Sequence, residues 1–170
     1  MKNSFLFMLV ISVIFIAACS AKKDETELYN TAKKSLENQM YYEALVNFRE
    51  LLNEYPDGQY TAEAIFETGK LYHGKIDTAL TDNEAFEKAV EYYNLLQTDF
   101  PQHVKAPEAL FMASFVLANE IKDFKRAEAS YKLFIEKYPD NQLAESAKIE
   151  LENLGIPPEE ILKKKIATEN

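Results

Sequence analysis

One pattern of thirteen residues occurs three times in this chain of 170 residues. Each copy begins with alanine, has an aromatic residue at the fifth place and an apolar residue at the eighth, and ends in an aromatic residue followed by proline. A further aromatic residue stands three places before each alanine. The aligned residues are Ala44, Phe48, Leu51, Tyr55 and Pro56, preceded by Tyr41; Ala89, Tyr93, Leu96, Phe100 and Pro101, preceded by Phe86; and Ala127, Tyr131, Phe134, Tyr138 and Pro139, preceded by Phe124. Spacings of three and four place these residues on one face of a helix, which proline ends because it has no N–H to donate. The pattern therefore predicts three copies of one amphipathic helix.

A second pattern precedes each of these helices and has a small residue at its centre. In each copy an apolar residue is followed four places later by alanine, glycine or serine. The pairs are Leu28 and Ala32, Ile65 and Gly69, and Leu110 and Ser114. Because a small side chain lets a neighbouring helix approach closely, the two helices of each copy are predicted to pack as a hairpin. This hypothesis requires the three small residues to face a neighbouring helix rather than solvent.

The two patterns together resemble the tetratricopeptide repeat, and the resemblance covers most of residues 27–154. It implies an all-α fold, a right-handed superhelix of three helical hairpins followed by a C-terminal capping helix. The usual repeat has about 34 residues, whereas the repeated prolines here lie 45 and 38 residues apart. Part of the excess falls in a long turn within the second hairpin. After this turn, Thr81 and Glu84 predict a capping box that restarts the helix.

The helix after the third repeat is predicted to close the array. Lys148 takes the place of the apolar residue and Glu152 takes the place of the small residue. Such polar side chains cannot receive another hairpin, so this helix acts as a cap. Gly155 is predicted to end it, and the Pro-Pro-Glu-Glu sequence at 157–160 indicates a short helix in a C-terminal tail, residues 155–170.

The only cysteine, Cys19, follows an apolar stretch near the N-terminus. The stretch, residues 5–16, is typical of an export signal and is shorter than the roughly 20 residues that a transmembrane helix needs. The aliphatic-small-small-Cys order of residues 16–19 resembles the lipobox of bacterial lipoproteins. That resemblance implies a signal peptide over 1–18, acylation of Cys19 with fatty acids such as palmitate, and a lipidated tether over 19–26. The alternative is an isolated buried cysteine in an ordinary hydrophobic segment.

The composition argues against several kinds of function. The formal net charge of −9 disfavours nucleic acid as a partner and an electrostatic grip on anionic lipid. The sequence has no P-loop, HExxH or GxSxG motif and only two histidines, so we predict no catalytic site, no cofactor and no small-molecule substrate. One hypothesis for a metal site combines His73, Asp77 and Asp82 in the long second turn. Polar turns commonly contain such residues, and we predict no metal there.

The resemblance to tetratricopeptide repeats implies a concave groove lined by the first helix of each hairpin. The corresponding residues are Tyr29, Lys33 and Leu36; Phe66, Lys70 and His73; and Phe111, Phe115 and Ala118. The rings would bury area against an extended or helical peptide, and the lysines would hold its carboxylates. The alternative is that the rings pack against the next hairpin and the lysines form solvated surface.

The lipobox, the short tether and the aromatic-Pro repeat ends followed by DGQYTAEAIF or QHVKAPEALF resemble the BamD family of outer-membrane assembly lipoproteins. The resemblance implies a lipid-anchored scaffold on the periplasmic face of the outer membrane that binds protein partners and assists a β-barrel insertase. The array is shorter than that family's, and the repeats are also similar to the Tol-Pal-associated tetratricopeptide protein. A general envelope adaptor for Tol-Pal, peptidoglycan or division machinery is therefore the alternative hypothesis. A metal-binding or hydrolytic module is a remote one.

Overall fold

The structure, a computed structural model, describes residues 22–168, and within them it contains helices and loops but no strand. The helices are α1 Glu25–Glu37, α2 Tyr41–Glu54, α3 Thr61–His73, α4 Asp82–Asp99, α5 Ala106–Val116, α6 Phe124–Lys137, α7 Ala144–Glu152 and α8 Pro158–Thr168, with a π-helical turn Leu117–Ile121 after α5. The all-α prediction is confirmed. The predicted signal peptide and Cys19 lie outside the described residues. No helix within them combines the length and apolar character needed to span a bilayer.

The helices pack as three consecutive hairpins, α1 with α2, α3 with α4 and α5 with α6. The hairpins join through α2 on α3 and α4 on α5, and α7 packs on α6. The nine residues at the first, fifth and eighth places of the repeated pattern are 0% exposed: Ala44, Phe48, Leu51, Ala89, Tyr93, Leu96, Ala127, Tyr131 and Phe134. The predicted apolar face of each second helix is therefore the core of the protein.

The small residues of the first helices also lie where the sequence predicts, against a neighbouring helix. Ala32 and Ser114 are fully buried, and the Oγ atom of Ser114 lies 2.7 Å from that of Ser130 on α6. A Cβ atom added to Gly69 would lie 2.9 Å from two ring carbons of Tyr93 on α4. At that distance no ordinary side chain fits, so glycine at 69 is what allows α3 and α4 to pack so closely.

The predicted helix ends are confirmed as well. Each second helix stops at the residue before the aromatic-Pro pair, and the aromatic residue adopts an extended φ of −136°, −126° or −131°. Its N–H still donates to the carbonyl four residues back, while the next residue, proline, has no N–H to continue the helix. At the start of α4, Thr81 and Glu84 form both hydrogen bonds of the capping box.

The aromatic residue three places before each alanine is buried in only one of the three repeats. Phe86 is 8% exposed, whereas Tyr41 and Phe124 are each 43% exposed. The prediction that this position belongs to the buried face is wrong for Tyr41 and Phe124. Both are the first residue of their helix, next to the turn within their hairpin, where neighbouring segments cover the ring only in part.

The turn within each hairpin contains a non-glycine residue with a left-handed backbone. These residues are Gln39, Lys75 and Lys122, with φ of 61°, 55° and 61°. In the first two turns, the N–H of the following residue donates to a carbonyl five residues back. In the third, Asp123 donates to Leu117, six residues back, over 2.9 Å. The π-helical turn Leu117–Ile121 takes up this additional residue, and nothing in the sequence pattern predicted it.

The end of the array has the polar surface expected of a cap. Ala144 and Ala147 of α7 are buried, whereas Lys148 and Glu152 are exposed. Gly155 has a φ of +75°, which glycine adopts readily and which lets the chain turn away before α8. No described helix covers the outer face of α7 as a fourth hairpin would.

Two tyrosine hydroxyls are buried in the core without a hydrogen-bond partner in residues 22–168, so removing them tests whether the core is packed as described. The hydroxyls of Tyr93 and Tyr131 have no hydrogen-bond partner among the described residues, and burial raises the pKa of both phenols. In the first repeat the same position is Phe48. We expect Tyr93→Phe and Tyr131→Phe each to raise the free energy of unfolding by about 1 kcal/mol, because an unpaired hydroxyl leaves the core. Urea denaturation followed by circular dichroism measures this.

Tyr55→Phe is the matched control for these two substitutions. The Tyr55 hydroxyl donates to the Lys23 carbonyl oxygen over 2.7 Å, so its loss removes a hydrogen bond and brings no gain. A loss of stability in Tyr93→Phe or Tyr131→Phe as large as that in Tyr55→Phe would show that the buried hydroxyls are satisfied in solution.

Candidate binding groove

The predicted groove residues lie on α1, α3 and α5, and contacts between these helices bring them to one face. Lys33 Nζ on α1 lies 3.8 Å from Glu67 Oε1 on α3. Lys105, directly before α5, places its Nζ atom 5.3 Å from the ring centroid of Phe66 on α3. The first helices therefore form a continuous surface, as a tetratricopeptide groove requires.

Most of the aromatic row is packed within the protein. Tyr29 stacks on Tyr60, with ring centroids 4.2 Å apart and planes 10° apart. Phe111 meets Tyr131 edge-on at 5.9 Å. Phe66 is only 3% exposed. The interpretation that the rings pack against other helices describes Phe66 best, while Tyr29 and Phe111 keep part of their surface accessible.

The groove lysines already have an anionic partner in this chain. The Glu67 side chain is 9% exposed and lies 2.9 Å from Lys70 and 3.8 Å from Lys33. Lys70 also lies 5.7 Å from the centroid of the Phe66 ring. A carboxylate of a partner would have to compete with Glu67, whose burial makes separation from its cations costly. The geometry favours apolar side chains of a partner over acidic ones.

An open pocket of about 450 Å³ lies where the groove meets the turns of the first two hairpins. It is lined by Leu36, Tyr41, Glu67, Lys70, Leu71, Gly74 and Ile76. Two of these, Leu36 and Lys70, are among the predicted groove residues. The walls are aliphatic and aromatic, with Glu67 and Lys70 supplying the charged groups. Such a pocket fits one large apolar side chain with a polar neighbour.

The remaining predicted residues take different positions. Phe115 is partly exposed, whereas Ala118 is buried, with 7% of its surface exposed. The His73 ring packs edge-on to Phe86 at 6.1 Å. Burial lowers the pKa of His73, against a smaller opposing effect of Glu120, and so favours the neutral imidazole.

The two aspartates of the hypothetical metal site, Asp77 and Asp82, form ion pairs with basic side chains. Asp82 lies 2.8 Å from Lys75 Nζ, and Asp77 lies 3.9 Å from Arg49. The hydrogen bond from Lys75 to Asp82 raises the lysine pKa. In residues 22–168, no three side chains of His, Cys, Asp or Glu are grouped so as to hold a metal ion.

Sequence reasoning missed several residues that shape this surface. Glu67 was detectable as an i,i+3 partner of Lys70, which is a common helical ion pair. Tyr41 was predicted to be buried and instead lines the pocket. Ile76 and Lys105 lie in connecting segments, so helical periodicity carries no information about where their side chains point.

Three packed helical hairpins and a polar capping helix define a fold of the tetratricopeptide-repeat class. A comparison with protein-family models makes the assignment more specific. Residues 21–156 match the YfiO family, described as outer membrane lipoprotein. Because this match covers most of the chain, the protein belongs to that family, and the resemblance to BamD-type lipoproteins is confirmed. A comparison with curated proteins found no match.

Proposed function

We propose that this protein is a non-catalytic scaffold, anchored through acylated Cys19 to the periplasmic face of the outer membrane, whose groove binds segments of proteins being assembled into that membrane. The family membership supports an outer membrane lipoprotein with a role in protein interactions. The pocket of about 450 Å³ between the first two hairpins carries the proposal about binding. In this proposal it receives an aromatic or aliphatic side chain of the bound segment.

The energetics of the pocket fit reversible binding. Complete burial of one large apolar side chain contributes about 1.5–3 kcal/mol, which corresponds to a roughly tenfold to hundredfold change in Kd. The charged groups of Glu67 and Lys70 in the pocket wall are paired with each other at 2.9 Å. The backbone of a bound segment would therefore lie beside an ion pair with no net charge. A contribution of this size from one side chain is compatible with a scaffold that releases the segment it binds.

A charged residue in the pocket wall tests the proposal. We expect Tyr41→Glu to weaken binding of the natural partner about tenfold or more, because a carboxylate then replaces an apolar wall. The fold should be kept, since an acidic residue in the first turn of a helix is favourable. The partner is first identified with a photo-reactive amino acid at position 41 of the lipidated protein in intact cells, and its affinity is then measured with purified components.

Tyr42→Glu is the matched control. Tyr42 is the next residue of the same helical turn, is 58% exposed, and does not line the pocket. Equal losses of affinity in the two variants would contradict the pocket as the binding site. Position 41 could instead cross-link to Tol-Pal or peptidoglycan-binding proteins and to no barrel protein or insertase. That result would contradict a role in outer-membrane protein assembly and support the general adaptor function.

A further inference from the structure

The loops that connect successive hairpins lie side by side along one edge of the array. Pro56 and Asp57 of the first loop line a cavity of about 740 Å³ together with Asp99 and Phe100 at the end of α4. Val104 of the second loop lines another pocket with residues 141–143 of the third. We call this row of three loops, residues 55–60, 100–105 and 138–143, the loop edge.

The turns within the hairpins lie at the opposite edge. Helix α1 runs from Glu25, beside the loop edge, to Glu37, beside the first turn. Its 13 residues correspond to about 20 Å. The long turn of the second hairpin, residues 74–81, is at this far edge, and so are Gly74 and Ile76 of the binding pocket.

The segment that leads towards Cys19 is fastened to the loop edge. Lys22 donates to the Glu54 carbonyl oxygen over 2.8 Å and holds its Nζ atom 4.1 Å from the ring centroid of Tyr55. Lys23 pairs with Glu50 at 2.9 Å, and the Tyr55 hydroxyl donates to the Lys23 carbonyl oxygen over 2.7 Å. Individual exposed ion pairs are weak, but these contacts together include main-chain, aromatic and ionic components. We call this arrangement the clamp.

The position of the clamp limits how far the lipid can be from the folded domain. Cys19 precedes Lys22 by three residues, which span at most about 11 Å. This inference rests on the proposed acylation of Cys19. With its acyl chains in the bilayer, the clamped end of the array is held within that distance of the lipid surface, whereas the far edge is free to lie up to one α1 length, about 20 Å, further away.

We propose that the loop edge is the membrane-facing surface of the protein, oriented there by the clamp. Lys22 and Lys23 do not act as a free basic patch for anionic lipid, because they are paired with Glu54 and Glu50. The middle loop places Val104, which is 82% exposed, at the same edge. An exposed apolar side chain there is suited to the interfacial region of a bilayer. The binding pocket, which includes Gly74 and Ile76, then lies towards the edge that is further from the membrane.

The experiment uses the full-length lipoprotein, reconstituted in phosphatidylethanolamine–phosphatidylglycerol vesicles with a quencher on the lipid headgroups. Because Cys19 is the only native cysteine and is acylated in this proposal, a thiol introduced elsewhere is the single site for a fluorophore. Val104→Cys labels the loop edge and Thr78→Cys, in the long turn, labels the far edge. We expect several-fold stronger quenching at position 104. Equal quenching, or stronger quenching at position 78, would overturn the proposed orientation.

A second comparison tests the clamp itself. Lys22→Ala, Lys23→Ala and Tyr55→Phe together remove its side-chain contacts, and we expect the difference between the two labels to shrink to near zero. Lys125→Ala with Lys132→Ala on the exposed surface of α6 is the control and should leave the difference unchanged. A full difference in the clamp variant would show that the clamp does not set the orientation.

Vesicle flotation separates failure of this inference from failure of the proposed anchoring. Protein that floats with the vesicles but shows equal quenching at both positions refutes the orientation and leaves the lipid anchor intact. Protein that does not float refutes the anchor, and the orientation falls with it.

Discussion

Gly69→Val is expected to lower the free energy of unfolding by about 3 kcal/mol and the Tm by about 10 °C. The first added carbon would already lie 2.9 Å from the Tyr93 ring and 3.4 Å from the Tyr92 Cβ atom. Tyr93 is fully buried, so its ring cannot swing into solvent, and α3 and α4 would have to separate. Such a loss is a large fraction of the 5–15 kcal/mol that stabilises a typical domain. Thermal and urea unfolding, followed by circular dichroism, give both quantities.

Two further variants separate the steric clash from the general effect of replacing a glycine. At Gly74 an added Cβ would make ordinary contacts of 3.5 Å, so Gly74→Ala should change stability little. In a Tyr93→Leu background the ring is gone, and Gly69→Ala should become neutral or slightly stabilising through the better helix propensity of alanine. If Gly69→Ala costs the same with and without the ring, the close approach of α3 and α4 is not the cause.

Cys19→Ser is expected to abolish membrane attachment of the protein. The resemblance to lipobox signals implies that the thiol accepts the lipid and that cleavage depends on this acylation. Two or three acyl chains, at about 0.8 kcal/mol per buried methylene, supply an anchor that the acidic surface of the domain cannot replace. We therefore expect the variant to keep its signal peptide, or to be soluble in the periplasm if it is cut elsewhere. Fractionation and mass spectrometry of the N-terminus distinguish the two.

Ser20→Ala is the matched control, since it changes the neighbouring residue and leaves the thiol in place. It should be processed and retained as in the unaltered protein. Normal processing and retention of Cys19→Ser would refute lipidation, and Cys19 would then be an isolated cysteine in a hydrophobic segment.

For the candidate groove, the sequence predicts which helical face the residues share but not how exposed they are. The residues expected to line the groove do lie on neighbouring first helices, because their spacing fixes them to one helical face. Their exposure depends on what covers that face. Phe66 is buried and shielded by Lys70 and Lys105, and Lys33 is paired with Glu67 of the next hairpin. Their role in binding remains a prediction.

By itself, the sequence determined the helices, the ends of the second helices, the buried first, fifth and eighth places of each repeat, the close approach at Gly69 and the polar cap. These features follow from local rules, since a periodicity of 3.6 selects one face and proline stops a helix regardless of its surroundings. Only the tertiary structure decided the π-helical turn after α5, the exposure of Tyr41, the pocket between hairpins and the clamp at Lys22. The pocket and the clamp arise from contacts between segments far apart in the chain, where the sizes of the loops determine which side chains meet. The π-helical turn is local, but it depends on how many residues the third hairpin must fit between its two packed helices.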